Sequence, residues 1–185
     1  MFRFLLKLSN HLYSLLFKIK VKILYGSKIN VSKVFFGRNA YITIGNSGYL
    51  ELGHGFSCRR NASINVDAGK IIIGKNVFLN DNCSLNCIDS IEIGDECIFG
   101  HNVLLFDHDH EFRKGGVFSQ TGMTSNPITI GRNVWIGSGV IILKGAIIGE
   151  NSVIGANTII KSIIPPNSVV YEQKAIVIKG ISTLT

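Results

Sequence analysis

Residues 126–161 read NPITIGRNVWIGSGVIILKGAIIGENSVIGANTIIK, and isoleucine returns in this stretch at every sixth position: Ile130, Ile136, Ile142, Ile148, Ile154 and Ile160. The fourth residue after each of the first five is small or β-branched (Val134, Val140, Ala146, Ser152, Thr158), and glycine follows directly at Gly131, Gly137, Gly149 and Gly155. A period of six matches neither the 3.6-residue turn of a helix nor the two-residue alternation of a long strand. Short strands joined by regular turns satisfy it. Each hexad is then one flat side with its aliphatic residue inward, and glycine is expected at the tight corner. Three hexads close one coil, and stacked coils share a continuous core.

The same phase extends upstream as Ile73, Leu79 and Leu85, then as Ile93, Phe99 and Leu105 after a two-residue slip. Weaker copies run through Phe36–Ile42 and Leu52–Cys58–Ile64. The chain is therefore expected to be an all-β solenoid. Its 185 residues, 46% hydrophobic and 17% charged, suit one domain with an appended element and exclude a disordered tail.

The repeat fails between Leu105 and Ile128, where Asp107-His108-Asp109-His110 opens a polar, glycine-bearing stretch, FRKGGVFSQTGMTSN. A long loop inside a regular solenoid is usually functional, and this one (about 111–127) is expected to project as a flap. On an extended segment the two histidines face one side and the two aspartates the other. Histidine titrates near neutral pH and can accept an alcohol's proton. His110, at the junction of coil and loop, is the expected general base, with His108 the second choice.

The formal charge of +7 is confined to the N-terminal fifth: residues 1–38 hold eight basic side chains and no acid, and the first carboxylate is Glu51. The near-neutral remainder offers no basic face for a nucleic-acid backbone. Residues 2–24 read as an amphipathic helix, with Arg3, Lys7, Asn10, Ser14 and Lys18 in one polar stripe and Phe2, Leu5, Leu6, Leu12, Tyr13, Leu16, Phe17 and Ile23 filling much of the opposite side. The longest uncharged run, Leu8–Phe17, is too short to span a bilayer, and no signal-peptide cleavage pattern follows. Two roles stand side by side: a cap on the open core, or peripheral contact with an anionic membrane surface. The division expected is 1–30 for the helical segment and 31–185 for the solenoid.

These hexads, with the NVWIG segment and the upstream His-bearing turn, resemble the hexapeptide-repeat acyltransferases, in particular the acetyl-CoA-dependent sugar O-acetyltransferase branch. The resemblance covers roughly residues 34–180. It implies a left-handed parallel β-helix of triangular section, a hand that the usual crossover rule would not suggest. It further implies acetyl transfer from acetyl-CoA to a sugar hydroxyl, plausibly in surface polysaccharide biosynthesis, by a cytoplasmic homotrimer, with His110 as base across a subunit interface. Aligned with the family, Asn82 and His108 fall where the acceptor binds. Ser138 and Ala156 fall where pantetheine passes, Lys161 near the phosphates, and Trp135 either walls the thioester pocket or packs between subunits. After Pro165-Pro166 the chain departs from the family, with Glu172-Gln173-Lys174-Ala175-Ile176 in place of a Gly-x-Pro-Ala-Lys-like turn.

Three other readings remain: a nucleotide-sugar N-acetyltransferase, a γ-carbonic-anhydrase-like metalloenzyme, and a non-catalytic scaffold. The metal reading lacks a matching spacing, because His101, His108 and His110 crowd into one coil. No metal is expected. Of the four cysteines, Cys83 and Cys97 occupy the small-residue position of their hexads and read as core fillers, and neither Cys58 nor Cys87 completes a zinc pattern. Free thiols suit a reducing cytoplasm, with the inner face of the cell membrane as the site of any peripheral contact.

Overall fold

The computed structural model describes residues 2–113 and 115–173. One helix, α1 (Phe2–Tyr25), passes through a 3-10 turn (Gly26–Lys28) into short parallel strands that wind as a solenoid. The strands stack into three sheets. Face A has seven, from Ile29–Val31 to Ile163–Ile164; face B has seven, from Phe35–Phe36 to Val169–Val170; face C has six, from Tyr41–Ile44 to Ile159–Ile160. Successive strands lie on successive faces, and each pairs in parallel with its counterpart one coil away, as Ile98 does with Trp135. The result is a parallel β-helix, consistent with the left-handed form.

The hexads explain this packing directly. Ile130, Ile136, Ile142, Ile148, Ile154 and Ile160 are all buried, and so are Val134, Val140, Ala146, Ser152 and Thr158 at the corners. Each hexad thus contributes two inward side chains, and the stack forms one continuous core. The polar members are satisfied inside it: the Ser152 hydroxyl bonds Pro165 O at 3.2 Å, and that of Thr158 donates to Gly155 O at 2.8 Å. Cys58, Cys83, Cys87 and Cys97 are free and buried. Burial pushes the thiol pKa up in all four, to about 11 at Cys83 and Cys97 and about 12 at Cys58, so they are core fillers.

The repeat glycines Gly131, Gly137, Gly149 and Gly155 do not take the left-handed corner position expected of them. That backbone belongs mostly to asparagine, including Asn133 (φ 53), Asn151 (φ 57) and Asn157 (φ 58), and to other glycines such as Gly139 (φ 72) and Gly145 (φ 79). Asparagine tolerates that conformation, and its amide also bonds the coil above. Asn133 donates to Asn151 at 2.9 Å, and Asn39, Asn61, Asn82 and Asn102 form a second such ladder. Glycine instead permits close approach. A Cβ on Gly137 would lie 2.7 Å from Ala156 N, and one on Gly131 would lie 2.6 Å from Glu150 N.

The lower coils are longer than three hexads. Asn61 bonds Asn82, 21 residues on, whereas Asn133 bonds Asn151, 18 residues on. The excess lies in four-residue strands on faces A and C, such as Lys70–Ile73 and Ser84–Cys87, and in their connecting corner. This accounts for the two-residue slip between Leu85 and Ile93.

Helix α1 closes the first coil, with Phe17, Val21 and Tyr25 against the core. Its orientation differs from that of a simple apolar cap. The first strand of face B is a sheet edge, and its free Phe36 N–H donates to the Ser14 hydroxyl at 2.9 Å. Arg38 reaches Asn10 Oδ1 at 3.1 Å, and the Tyr25 hydroxyl donates to Ile42 O at 3.0 Å. Polar residues of the stripe therefore face the solenoid, where edge groups need partners, while Leu5, Leu12, Leu16 and Ile23 face away from it. The side chains of Phe2, Arg3 and Leu6, and residues 174–185 including Lys174, Ala175 and Ile176, lie outside the described residues.

Candidate functional site

The interruption begins at the corner between faces C and A. There the chain leaves Leu104–Phe106 and forms an antiparallel pair, His108–His110 with Met123–Ser125, in which His108 faces Ser125 and His110 faces Met123. The extruded loop therefore stands on a hairpin base, and its tip carries one 3-10 turn (Phe118–Gln120). Side chains fasten this base to the solenoid. Lys144 from the next coil reaches Asp109 Oδ2 at 3.1 Å and Thr124 O at 3.3 Å, and Ser125 donates to Asp89 Oδ2 at 3.0 Å.

Asp107 lies at the root of the hairpin. Alternation along the strand turns Val103, Leu105 and Asp107 inward, and Asp107 is 0% exposed. Its carboxylate accepts from Ile88 N at 3.0 Å and Asp89 N at 2.9 Å, both in the corner of the coil below. It also accepts from His108 Nδ1 at 2.8 Å. Burial alone would raise its pKa, but the His108 bond, the two backbone N–H groups and the Cys87 thiol outweigh burial and hold it below the usual carboxylate value. An ionised partner on Nδ1 fixes the tautomer that leaves the His108 Nε2 lone pair free to accept a proton. The His108 side chain is 17% exposed, enough to meet a ligand.

His110, the expected base, is exposed at the far end of the same strand, and among the described residues no hydrogen bond to its ring fixes its tautomer. The sequence did not reveal Asp107 as a partner, although an acid in the inward register of Val103 and Leu105 was a readable signal. Asn82 is at the other end of face C, at the corner with face B. Both ends of its amide are engaged in the ladder, accepting from Asn61 at 2.9 Å and donating to Asn102 at 3.0 Å. Neighbouring Asp81 is paired with Arg60 at 2.7 Å, which draws its pKa down.

The four residues aligned with a cofactor do not share one edge. Trp135 projects from face B and is exposed. Ser138 and Ala156 occupy successive B–C corners; the Ser138 hydroxyl accepts from His101 N at 3.1 Å. That bond puts His101 on a different corner from His108. Lys161 is at the C–A corner, two coils beyond the hairpin. These residues thus fall on two edges, His108 and Lys161 at C–A corners and Ser138 and Ala156 at B–C corners. Face C separates them, at about 13 Å for four extended residues.

Two family models match: the bacterial transferase hexapeptide (six repeats) over residues 127–162, and the hexapeptide repeat of succinyl-transferase over 70–106. No curated protein matches the chain by sequence. Among solved structures, a hexapeptide-repeat-containing acetyltransferase from Vibrio cholerae is 28% identical, with 69% of this chain and 72% of that one covered and a TM-score of 0.60. A structure of a Vibrio cholerae acetyltransferase of the same description with acetyl coenzyme A bound is 25% identical, with coverages of 73% and 67% and a TM-score of 0.50. An N-acyltransferase from Bacillus cereus with dTDP and 3-hydroxybutyryl-CoA shares the fold at 16% identity, with coverages of 84% and 83% and a TM-score of 0.70.

Proposed function

We propose that this chain of hexapeptide repeats transfers an acetyl group from acetyl-CoA to a sugar hydroxyl, with His108 as general base and Asp107 as its positioning residue. The bond between buried Asp107 and half-buried His108 at the root of the extruded hairpin carries this reading. His108 Nε2 takes the hydroxyl proton as the acceptor oxygen attacks the thioester carbonyl. The tetrahedral oxyanion collapses, the C–S bond breaks, and the proton passes from His108 to the departing CoA sulfur. General-base assistance of this kind contributes about 10²–10⁴-fold, and positioning of the two substrates supplies much of the rest. His110, on the same side of the strand, lines the acceptor approach.

Residues 31–185 make up the transferase unit in this reading, and the working form is a homotrimer. Ile98, Trp135 and Val169 leave an exposed apolar row along face B that a second copy would cover. The separation of the two edges supports a cofactor held between chains, with Ser138 and Ala156 along pantetheine and Lys161 at the phosphates. Four free buried thiols support a reducing compartment, the cytoplasm, and surface polysaccharide assembly is the process such a sugar ester suits.

Asn82 keeps a structural role. Asn82→Ala is expected to lower stability by about 1–2 kcal/mol, through a left-handed backbone without its amide, while KM for the acceptor stays within about twofold. Denaturant unfolding and steady-state kinetics check both halves. The function itself is tested by incubating the purified chain with acetyl-CoA and a panel of oligosaccharides. CoA thiol released only in the presence of an acceptor supports transfer, and acceptor-independent or absent release contradicts it.

A further inference from the structure

The outer surface of α1 is apolar where a soluble helix would be polar. Its inner side is fixed by Asn10, Ser14, Phe17, Val21 and Tyr25, which meet the first coil. At 100° per residue the opposite side holds Leu8, Leu12, Leu15, Leu16, Ile19 and Ile23, extending the line begun by Leu5. These seven are 46–78% exposed. They form a stripe about 100° wide and about 27 Å long with nothing on it among the described residues.

The charges beside this stripe identify its partner. Lys22 borders one edge and Lys20 the other, Lys18 lies further round with its Nζ donating to Ser32 O at 3.5 Å, and there is no acid anywhere before Glu51. Two copies laid stripe to stripe would bring lysines against lysines without a carboxylate to answer them. A surface that is apolar below and negative above satisfies both parts at once: aliphatic side chains enter the headgroup boundary and the lysines meet lipid phosphates. No described helix is long and apolar enough to cross a membrane, so the helix would lie along the surface.

We propose that α1 is an interfacial anchor which docks the solenoid on an anionic lipid surface, held by its outward leucine stripe and flanking lysines. The anchor and the closure of the first coil use opposite sides of one helix, so docking requires no unfolding of the cap. This inference stands apart from acetyl transfer.

Co-sedimentation of the full-length chain with phosphatidylcholine vesicles, with and without phosphatidylserine, tests it. The chain should bind the mixed vesicles, bind plain phosphatidylcholine far more weakly, and be released by salt. Leu12→Asp with Leu16→Asp should weaken binding at least tenfold, with the melting curve unchanged because both side chains face outward. Lys20→Gln with Lys22→Gln touches no apolar residue and should weaken binding about fivefold per lysine. Wild-type chain that ignores anionic vesicles, or a leucine variant that binds them equally, overturns the proposal. So does a wild-type assembly larger than that of the leucine variant in the absence of lipid, which would assign the stripe to a second copy.

Discussion

His108→Ala lowers the turnover number for acetyl transfer by about 10²–10⁴-fold, with the KM for acetyl-CoA nearly unchanged. The size follows from what is removed: a proton acceptor whose Nε2 is aimed by the 2.8 Å bond from Nδ1 to Asp107. The ring is only partly buried, and its loss leaves Asp107 with both backbone donors, so the fold should survive. His110→Ala is the control. Lacking an oriented tautomer, it should cost less than about tenfold, mainly in acceptor KM. If the two variants exchange these effects, the base moves two residues along the strand to His110.

Asp107→Ala should lower stability by about 3 kcal/mol. The buried N–H groups of Ile88 and Asp89 lose their acceptor, at about 1–3 kcal/mol for each orphaned group. The pH dependence has a defined sign. The folded-state pKa of Asp107 lies below its unfolded value, so its contribution is fully present above about pH 4 and disappears as pH falls through the depressed folded value. Wild-type chain should therefore lose stability on acidification below pH 4 more steeply than the alanine variant. Denaturant midpoints across that window measure the difference, and parallel curves would mean that Asp107 is not held as an anion. Transfer activity should also fall, because His108 loses the group that sets its tautomer.

Why the fold was readable and the site less so is clear from individual residues. Ile130 to Ile160 repeat a local constraint, one aliphatic residue per flat side, and a repeated local constraint is visible in one dimension. The inward placement of Cys83 and Cys97 followed from the same phase. The corner glycines were assigned by their permissive backbone, but the reason for them is a neighbouring coil 2.6–2.7 Å from an imagined Cβ, which exists only after stacking. Asp107 is the same kind of case. Its partners Ile88 and Asp89 are close in space because one coil lies on another, so the chain could show an acid beside a histidine but not that the acid is buried. Asn82 looked free for a sugar for the mirror-image reason: its ladder partners Asn61 and Asn102 are about one coil distant in sequence. In α1 the amphipathic pattern was legible, but which side meets the solenoid depended on the unpaired edge at Phe36.

The central claim is that this solenoid esterifies a sugar hydroxyl with acetyl from acetyl-CoA. Mass spectrometry of oligosaccharides incubated with the chain and acetyl-CoA tests it most directly, followed by mild alkali. The expected product is heavier by one acetyl group and reverts on alkali treatment, as an ester does, and His108→Ala forms it at least about a hundredfold more slowly. An acetyl group that survives alkali, as an amide does, or no acetylated product from any acceptor, would contradict it.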